Sequence, residues 1–151
     1  DPFTGFGGAD ALVQACRDGI ERLQQEQLGA PGTLVYPFGK HNRWVRKAVA
    51  PLFGVAFTTW FGVNGGRVNR YAIRRVPFGA YTGRWTATEP AYRGLIERCA
   101  RDGEWLALML HPAAPEHGDT HNAMLSRLIA FAKESGVEVG SASRQLAQAV
   151  S

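Results

Sequence analysis

Short runs of β-branched and aromatic residues alternate with amphipathic segments along most of this chain. Apolar runs of strand length occupy residues 33–36, 55–60, 71–78, 105–110 and 137–139. Apolar residues recur at helical spacing in residues 10–28, after Asn42, from Thr88 to Arg101, after Asp119 or Thr120, and from Ser141 to Val150. Because strands and helices alternate five times, the pattern predicts an α/β fold with a largely parallel sheet.

The chain has the size and composition of one globular domain. It contains 151 residues, of which 45% are hydrophobic and 20% are charged. Since it has no internal repeat, low-complexity tract or linker, we predict that residues 1–151 form a single domain. No apolar run approaches the roughly 18 residues that a bilayer requires, so we expect no membrane span.

Basic residues outnumber acidic ones by 17 to 13, which gives a formal net charge of +4. The densest basic stretch contains Arg67, Arg70, Arg74 and Arg75 around Tyr71. Arginines interleaved with an aromatic ring can bind a single strand or another polyanion, which is one open alternative. Because no recognisable nucleic-acid-binding module surrounds this stretch, we expect no nucleic-acid partner.

The two cysteines fall on the apolar stripes of predicted helices. Cys16 lies in the helix of residues 10–28, and Cys99 lies in the helix that begins after Thr88. A cysteine in such a stripe behaves as a small hydrophobic residue, so we predict two reduced core thiols. A disulfide between them is the alternative and would indicate an exported protein.

Functional groups of parallel α/β folds gather at the carboxyl ends of the strands, which directs attention to the loops after Tyr36, Trp60 and Leu110. Residues 37–42 read Pro-Phe-Gly-Lys-His-Asn, and the proline and glycine favour a tight turn that leaves a backbone N–H free to face a ligand. His111 follows a predicted buried strand, where the pKa of an imidazole can be tuned for general acid or base catalysis.

A second interpretation of the loop after Leu110 is a metal site. His111, His117 and His121 lie within eleven residues, together with Glu116 and Asp119. Imidazoles and carboxylates are metal ligands, but a solvated loop is the more common outcome for such a segment. The chain has no Gly-x-Ser-x-Gly elbow, P-loop or dinucleotide fingerprint, which argues against a serine hydrolase and a nucleotide-dependent enzyme.

Three segments occur in an order that resembles a known family. They are Leu34-Val35-Tyr36-Pro37-Phe38-Gly39-Lys40-His41-Asn42, Gly54-Val55-Ala56-Phe57-Thr58-Thr59, and Leu108-Met109-Leu110-His111 followed by a long helix and a Gly-Val-Glu segment. Together they resemble the second half of the polysaccharide deacetylases, carbohydrate esterase family four, over about residues 10–148. The resemblance implies a distorted β/α barrel and the metal-dependent removal of acetyl groups from an N-acetylated polysaccharide or related carbohydrate.

The resemblance also implies two catalytic positions. Phe38 lies where a backbone N–H completes the oxyanion hole of the family. His111 lies where the general acid of the family protonates the departing amine. In the family, a divalent ion polarises the carbonyl and activates a water molecule.

Four further positions are implied to contact the carbohydrate substrate: Tyr36, Trp60, Arg75 and Met109. Met109 and Trp60 would line the small pocket for the acetyl methyl group or the groove beside it. Arg75 matches an arginine of one branch of the family and would fix a carboxylate or the sugar chain.

The chain departs from the family pattern in its metal site. The family's paired-aspartate strand end and its histidine pair supply the catalytic base and the metal ligands, and neither motif occurs here. We therefore expect no metal ligands in this chain, and a divalent metal ion, zinc by the resemblance, only in a complete domain. Val35 replaces a common arginine and Pro112 a common aspartate, which indicates a divergent branch. The resemblance thus predicts the C-terminal portion of an incomplete barrel, inactive in isolation.

A non-catalytic carbohydrate- or polyanion-binding α/β domain is the alternative function. In that case the groove is retained without the metal. Members of the family act mainly at the cell envelope or outside the cell, which is the compartment that the resemblance favours. The sequence leaves the oligomeric state open.

Overall fold

A computed structural model describes residues 8–29, 31–66, 68–79, 87–111 and 118–142 of the chain. Within these residues the four helices are α1 (Ala9–Gln25), α2 (Arg43–Val49), α3 (Glu89–Asp102) and α4 (Asp119–Glu134). The four strands are β1 (Thr33–Val35), β2 (Val55–Phe61), β3 (Ile73–Phe78) and β4 (Leu108–Leu110). A 3-10 turn at Pro37–Gly39 connects β1 to α2.

The strands form one sheet in the order β1-β2-β3-β4, and every neighbouring pair is parallel. The sheet curls into a half-barrel. Its parallel strands confirm the predicted α/β class with a largely parallel sheet. Because all four strands run in the same direction, the segments that follow them emerge along one edge, which we call the carboxyl edge.

Helices cover one face of the sheet, which we call the helix-covered face. At its β1–β2 end, a cluster contains the buried Tyr36, Val45, Val49, Phe53 and Ala56, with partly buried side chains of α1 against it. At its β3–β4 end, a second cluster contains the buried Val76, Phe78, Tyr92, Ile96, Leu128 and Ala132. The apolar stripes of the helices face the sheet because they bury their side chains in these two clusters.

The opposite face of the sheet carries a smaller apolar cluster. Val55, Phe57 and Ile73 are buried there, and Trp105 and Ala107 pack against them. Successive side chains of a strand alternate between the two faces of the sheet, so these residues alternate along their strands with those that face the helices.

A bulge interrupts the pairing of β2 with β3 near their carboxyl ends. Phe57 pairs with Ile73 and Phe61 pairs with Arg75, so the register shifts between these pairs. Side chains bond backbone groups in this region: the Thr58 hydroxyl donates to the Ile73 carbonyl at 2.9 Å, and the Trp60 N–H donates to the Thr58 hydroxyl at 3.1 Å. The bulge is therefore held by a fixed set of hydrogen bonds.

Single residues set the ends of two helices. The Asn42 side chain accepts hydrogen bonds from the backbone N–H groups of Trp44 and Val45, both at 2.9 Å, and thereby caps α2. Gly103 ends α3 with a φ of 64°, a conformation that favours glycine. The cap of α4 was predicted at Asp119 or Thr120 but lies at Gly118, so Asp119 occupies the first turn instead.

Two predicted strands differ from the structure. The run of residues 105–110 forms a strand only at Leu108–Leu110, because Trp105 pairs with Asn64 in an isolated antiparallel bridge. Residues 137–139 form no strand. An apolar run becomes a strand only where a neighbouring strand pairs with it, and here the Val137 N–H bonds the Ala132 carbonyl instead. The helix predicted from Ser141 to Val150 lies outside the described residues from residue 143 onward.

Both cysteines are free thiols, as predicted. Cys99 is buried, and Cys16 is partly buried against the cluster at the β1–β2 end of the helix-covered face. Burial raises the pKa of both thiols, so both stay protonated at neutral pH.

Candidate functional site at the carboxyl edge

The turn after β1 holds its central residue in an uncommon backbone conformation. Phe38 has a φ of 55° and a ψ of 16°, which is the left-handed region, and its side chain is 90% exposed. A bulky residue in this region costs on the order of 1–3 kcal/mol and persists only where its surroundings hold it. The turn is therefore fixed by its neighbours and not by the preference of Phe38.

Hydrogen bonds account for the shape of this turn. The Gly39 N–H donates to the Tyr36 carbonyl at 2.9 Å, and the Lys40 N–H donates to the Pro37 carbonyl at 3.1 Å. The Phe38 N–H between them has no acceptor among the described residues. A tight turn with one backbone N–H left unbonded is what the proline and glycine of residues 37–42 predict.

Gly39 lies directly against strand β2. A Cβ atom at this position would collide with the side chain of Thr59. Gly39 also has a φ of 68°, so both the space and the backbone conformation require glycine. This close approach holds the turn beside the carboxyl end of β2.

His41 joins the turn to Trp60. Its ring stacks on Tyr36 with centroids 4.8 Å apart and an angle of 12° between the planes, and it lies 4.9 Å from the Trp60 ring. Nδ1 of His41 lies 3.0 Å from the Gly39 carbonyl oxygen, so Nδ1 carries the proton in this contact. The Nε2 atom is buried and has no hydrogen-bond partner in the described part of the chain.

Tyr36 is the buried member of this stack. It is only 2% exposed, and its hydroxyl donates to the Tyr71 carbonyl at 3.1 Å. The Tyr71 hydroxyl in turn donates to the Ala50 carbonyl at 3.2 Å. Burial raises the pKa of Tyr36 to about 12, so the phenol stays neutral and remains a donor. Tyr36 therefore supports the His41 ring, which in turn contacts Trp60, and Tyr36 itself does not face solvent.

Exposed aromatic side chains accompany the turn. Trp60 is 50% exposed and Phe61 is 45% exposed at the end of β2, and Trp44 is 59% exposed in the first turn of α2. The Arg43 guanidinium lies 4.5 Å from the centroid of the Trp44 ring. Large apolar side chains left in water near one edge are typical of a binding surface.

Arg75 lies on the opposite face of the sheet, in β3. Its Nε–H donates to the Thr58 carbonyl at 2.6 Å, at the β2 bulge. Burial lowers the pKa of the Arg75 guanidinium from its ordinary value. Arg74, the neighbouring residue, points to the other face, and Arg67 lies outside the described residues, so the basic stretch of the sequence does not form one continuous surface here.

Met109 and His111 belong to the other end of the sheet. Met109 is partly buried in β4 and pairs with Pro77, while His111 is exposed directly after β4. Strands β1 and β4 are separated by two strands, which on a flat sheet corresponds to about 14 Å between them. Residues 112–117, which follow His111 and include His117, lie outside the described residues.

Of the six predicted site residues, the structure therefore brings only some close together. Tyr36 and Trp60 contact the His41 ring, and Phe38 lies in the turn that precedes it. Arg75 bonds the Thr58 carbonyl from the opposite face of the sheet, and Met109 and His111 lie at the far strand. The sequence interpretation did not single out His41 as a site residue. The sequence feature that could have indicated His41 is its position between Gly39 of the turn and the helix cap Asn42, because both neighbours restrict where its ring can lie.

Metal ligands are not brought together in the described part of the chain. No group of three or more His, Cys, Asp or Glu side chains there could hold a metal ion. His121, one of the three histidines of the loop, bonds at the start of α4 instead, where its Nδ1 lies 3.3 Å from the Gly118 nitrogen.

Comparisons with known proteins give no match: no family model fits the chain, and no curated protein or solved structure matches it significantly. Among the described helices, none combines the length and the apolar character needed to cross a bilayer.

Proposed function

We propose that this chain is the C-terminal part of a polysaccharide deacetylase-like barrel, a hydrolase that removes acetyl groups from an N-acetylated carbohydrate with the help of a divalent metal ion. The observation that carries the proposal is the turn after β1, which presents the Phe38 N–H without an internal acceptor beside the half-exposed Trp60. The curled parallel sheet, open at β1 and β4 among the described strands, is compatible with a partial barrel.

The Phe38 N–H donates to the oxygen that becomes negatively charged when water adds to the acetyl carbonyl. A fixed donor of this kind contributes about 10²–10³ in rate, because it needs no reorganisation when the charge develops. Gly39 and His41 hold the turn that carries this N–H, through the contact with Thr59 and the bond to the Gly39 carbonyl.

His111 donates a proton to the amine as the carbon–nitrogen bond breaks. His111 is exposed and follows β4 directly, at the carboxyl edge. The half-exposed Trp60 stacks on a sugar ring, and the partly buried Met109 contacts the substrate near His111. Tyr36 acts on the substrate through the ring stack that it supports.

The described residues do not provide a ligand set for the divalent ion, which is zinc by the resemblance. We therefore assign to this chain only the oxyanion donor, the general acid and the substrate contacts, and derive no step from the metal.

The test of this proposal is deacetylation of an N-acetylglucosamine oligomer by the complete domain that we propose. We expect His111→Ala to lower kcat by about 100-fold or more, a typical contribution of a general acid, while the free energy of unfolding changes little. His121→Ala is the matched control, since it removes a histidine of the same region, and should retain activity. Unchanged turnover in His111→Ala would exclude the acid role.

Carbohydrate binding without catalysis is a second candidate, and the exposed aromatic side chains at the carboxyl edge favour it. The two candidates differ in one measurement. That measurement is the release of acetate by the complete domain supplied with metal. If the domain binds the oligomer through Trp60 but releases no acetate, it is a binding module and not a hydrolase.

A further inference from the structure

Acidic and basic residues are distributed unevenly along the chain. All thirteen acidic residues lie before residue 27 or after residue 88, whereas nine of the seventeen basic residues lie between these positions. Helix α2 and strands β1, β2 and β3 therefore belong to a segment that carries only positive charge. The net charge of +4 averages this basic segment with a remainder in which acidic residues are in excess.

Within this segment, the turn after β1 and helix α2 expose only aromatic, cationic and proline side chains. Val45 and Val49 form the inner side of α2 and are buried. Lys47 follows Arg43 by four residues and Trp44 by three, so these three side chains share the outer side of the helix. Together with the side chains of the turn, the exposed residues of positions 37–47 are Pro37, Phe38, Lys40, Arg43, Trp44 and Lys47. We call Phe38, Lys40, Arg43, Trp44 and Lys47 the α2 surface.

The positive charge of the α2 surface is not neutralised within the described part of the chain. Its three cations form no ion pair there. Helix α1 packs against α2 and is acidic, but its carboxylates bond within α1 itself. Asp18 accepts from Gln14, Glu21 accepts from Gln25, and Glu26 accepts from Arg22. The cations of the α2 surface are thus available together to an external anion.

The aromatic side chains of the α2 surface are exposed to water beside these cations. Phe38 is almost fully exposed and Trp44 is more than half exposed. The contact between Gly39 and Thr59 fixes the turn, so the Phe38 side chain is held outward at its centre. Burial of both rings in an apolar environment would be favourable, because each carries a large apolar area.

A lipid bilayer with anionic headgroups matches both properties of the α2 surface. Lysine and arginine bind anionic headgroups, tryptophan lies at the level of the headgroups, and phenylalanine reaches the acyl chains.

Single-stranded nucleic acid is the other anion that combines cations with aromatic rings, but its binding proteins guide the strand along a groove. Phe38 protrudes instead, and the Arg43 guanidinium, 4.5 Å from the ring centroid, already covers one face of Trp44. The geometry therefore favours a flat lipid surface over a stacked strand.

We propose that the α2 surface docks this chain on a membrane that contains anionic lipids. Lys40, Arg43 and Lys47 contact the lipid phosphates, and Phe38 and Trp44 insert between the lipids. This inference does not depend on the proposed function, since docking uses the side chain of Phe38 and the deacetylase proposal uses its backbone N–H. If both hold, the carboxyl edge lies at the membrane surface and acts on a carbohydrate located there.

Flotation of the full chain with lipid vesicles tests the inference. One set of vesicles contains phosphatidylcholine alone, and the other contains about 30% phosphatidylserine in addition. We expect the anionic vesicles to bind the chain at least about tenfold more tightly. The double variant Arg43→Gln with Lys47→Gln should lose about twentyfold of this affinity, since each cation near an anionic surface contributes about fivefold.

The matched control is the double variant Arg17→Gln with Lys133→Gln. It also removes one arginine and one lysine, both exposed and without an ion pair among the described residues, but from α1 and α4. It should keep most of the affinity for anionic vesicles. An equal loss in the two double variants would show only the general attraction of a basic protein and would overturn the inference.

The aromatic contribution has its own pair of variants. Phe38→Ala should lower the affinity for anionic vesicles by about tenfold or more, because it removes an inserted ring. Leu28→Ala removes a large exposed side chain outside the α2 surface and should have little effect. Equal affinity of Phe38→Ala and the unsubstituted chain would contradict insertion at the turn.

Two further outcomes overturn the inference without requiring any variant to fold. One is failure of the unsubstituted chain to float with anionic vesicles, or equal flotation with both sets. The other is binding of an oligothymidylate in place of the vesicles, which would make nucleic acid the partner of the α2 surface. Because no carbohydrate is present in these experiments, their result is independent of the deacetylation test.

Discussion

The helix-covered face and the carboxyl edge of the sheet differ in how well their side chains are packed and their polar groups hydrogen-bonded. On the helix-covered face, Phe78 and Tyr92 are fully buried with ring centroids 5.0 Å apart, and the Tyr92 hydroxyl donates to the Pro77 carbonyl at 2.9 Å. At the carboxyl edge, Phe38 has a strained backbone and an unused N–H, and the Nε2 atom of His41 is buried without a partner among the described residues.

This difference separates stability from function within one small sheet. Groups that are packed and hydrogen-bonded stabilise the fold, whereas strained or unsatisfied groups are retained where a ligand can use them. The helix-covered face is therefore the scaffold, and the carboxyl edge together with Arg75 is the candidate site.

Phe78→Ala should have the largest effect on stability. Phe78 is fully buried on the helix-covered face, so its removal should lower the free energy of unfolding by about 3–5 kcal/mol. Phe61→Ala makes the same change at a half-exposed position of the carboxyl edge and should cost about 1 kcal/mol or less. Urea denaturation measures both, and similar losses at the two positions would contradict the division between scaffold and site.

Gly39→Ala should have the next largest effect. The new methyl group meets the Thr59 side chain and the backbone has a positive φ, so we expect a loss of about 3 kcal/mol from overpacking and strain together. Gly103→Ala is the control, because Gly103 has a φ of 64° but nothing within 4 Å of an added Cβ. It should lose only about 1 kcal/mol of stability. Equal losses would show that the Gly39–Thr59 contact does not hold the turn.

The smallest effect should come from Glu89, which links α3 to α4. Its carboxylate accepts hydrogen bonds from Arg93 at 2.9 Å and from Arg127 at 2.8 Å. These bonds, that from Arg127 first, lower the pKa of Glu89 below its ordinary value. Because the folded pKa is depressed, the contribution is present above the unfolded pKa and is lost as pH falls through the folded pKa.

Glu89→Gln should therefore be slightly less stable than the unsubstituted protein at pH 7, and the difference should vanish on acidification below the ordinary glutamate pKa, about 4.3. Chemical denaturation at pH 7 and at low pH measures this. A difference that persists at low pH would mean that the side chain acts by packing and not by charge. Glycan binding should be unaffected, because Glu89 lies on the scaffold side.

The fold could be predicted from sequence to the extent that local patterns decide it. Asn42 caps α2 through its own side chain, and Gly103 ends α3 through its own φ, so both boundaries follow from single residues. Residues 137–139 show the limit, because their apolar pattern suits a strand but the structure pairs them with no neighbouring strand. Pairing depends on long-range partners that a local pattern does not contain.

The candidate site shows the same limit. The tight turn at Pro37–Gly39 and its free N–H follow from the order of proline and glycine. The stack of Tyr36, His41 and Trp60 does not, since it depends on how β2 lies beside the turn. The β2 bulge that gives Arg75 its carbonyl partner also has no local signal, because a register shift is a property of two strands together.

The most direct test of the central claim is a ¹H–¹⁵N nuclear magnetic resonance titration of the chain with an N-acetylglucosamine tetramer. If the carboxyl edge binds the carbohydrate, the backbone amide of Phe38 and the indole N–H of Trp60 will shift saturably. The amides of Ile96 and Leu128, in the helices that pack on the helix-covered face, will stay in place. Shifts confined to the helix-covered face, or no shift at millimolar tetramer, would contradict the assignment of the site.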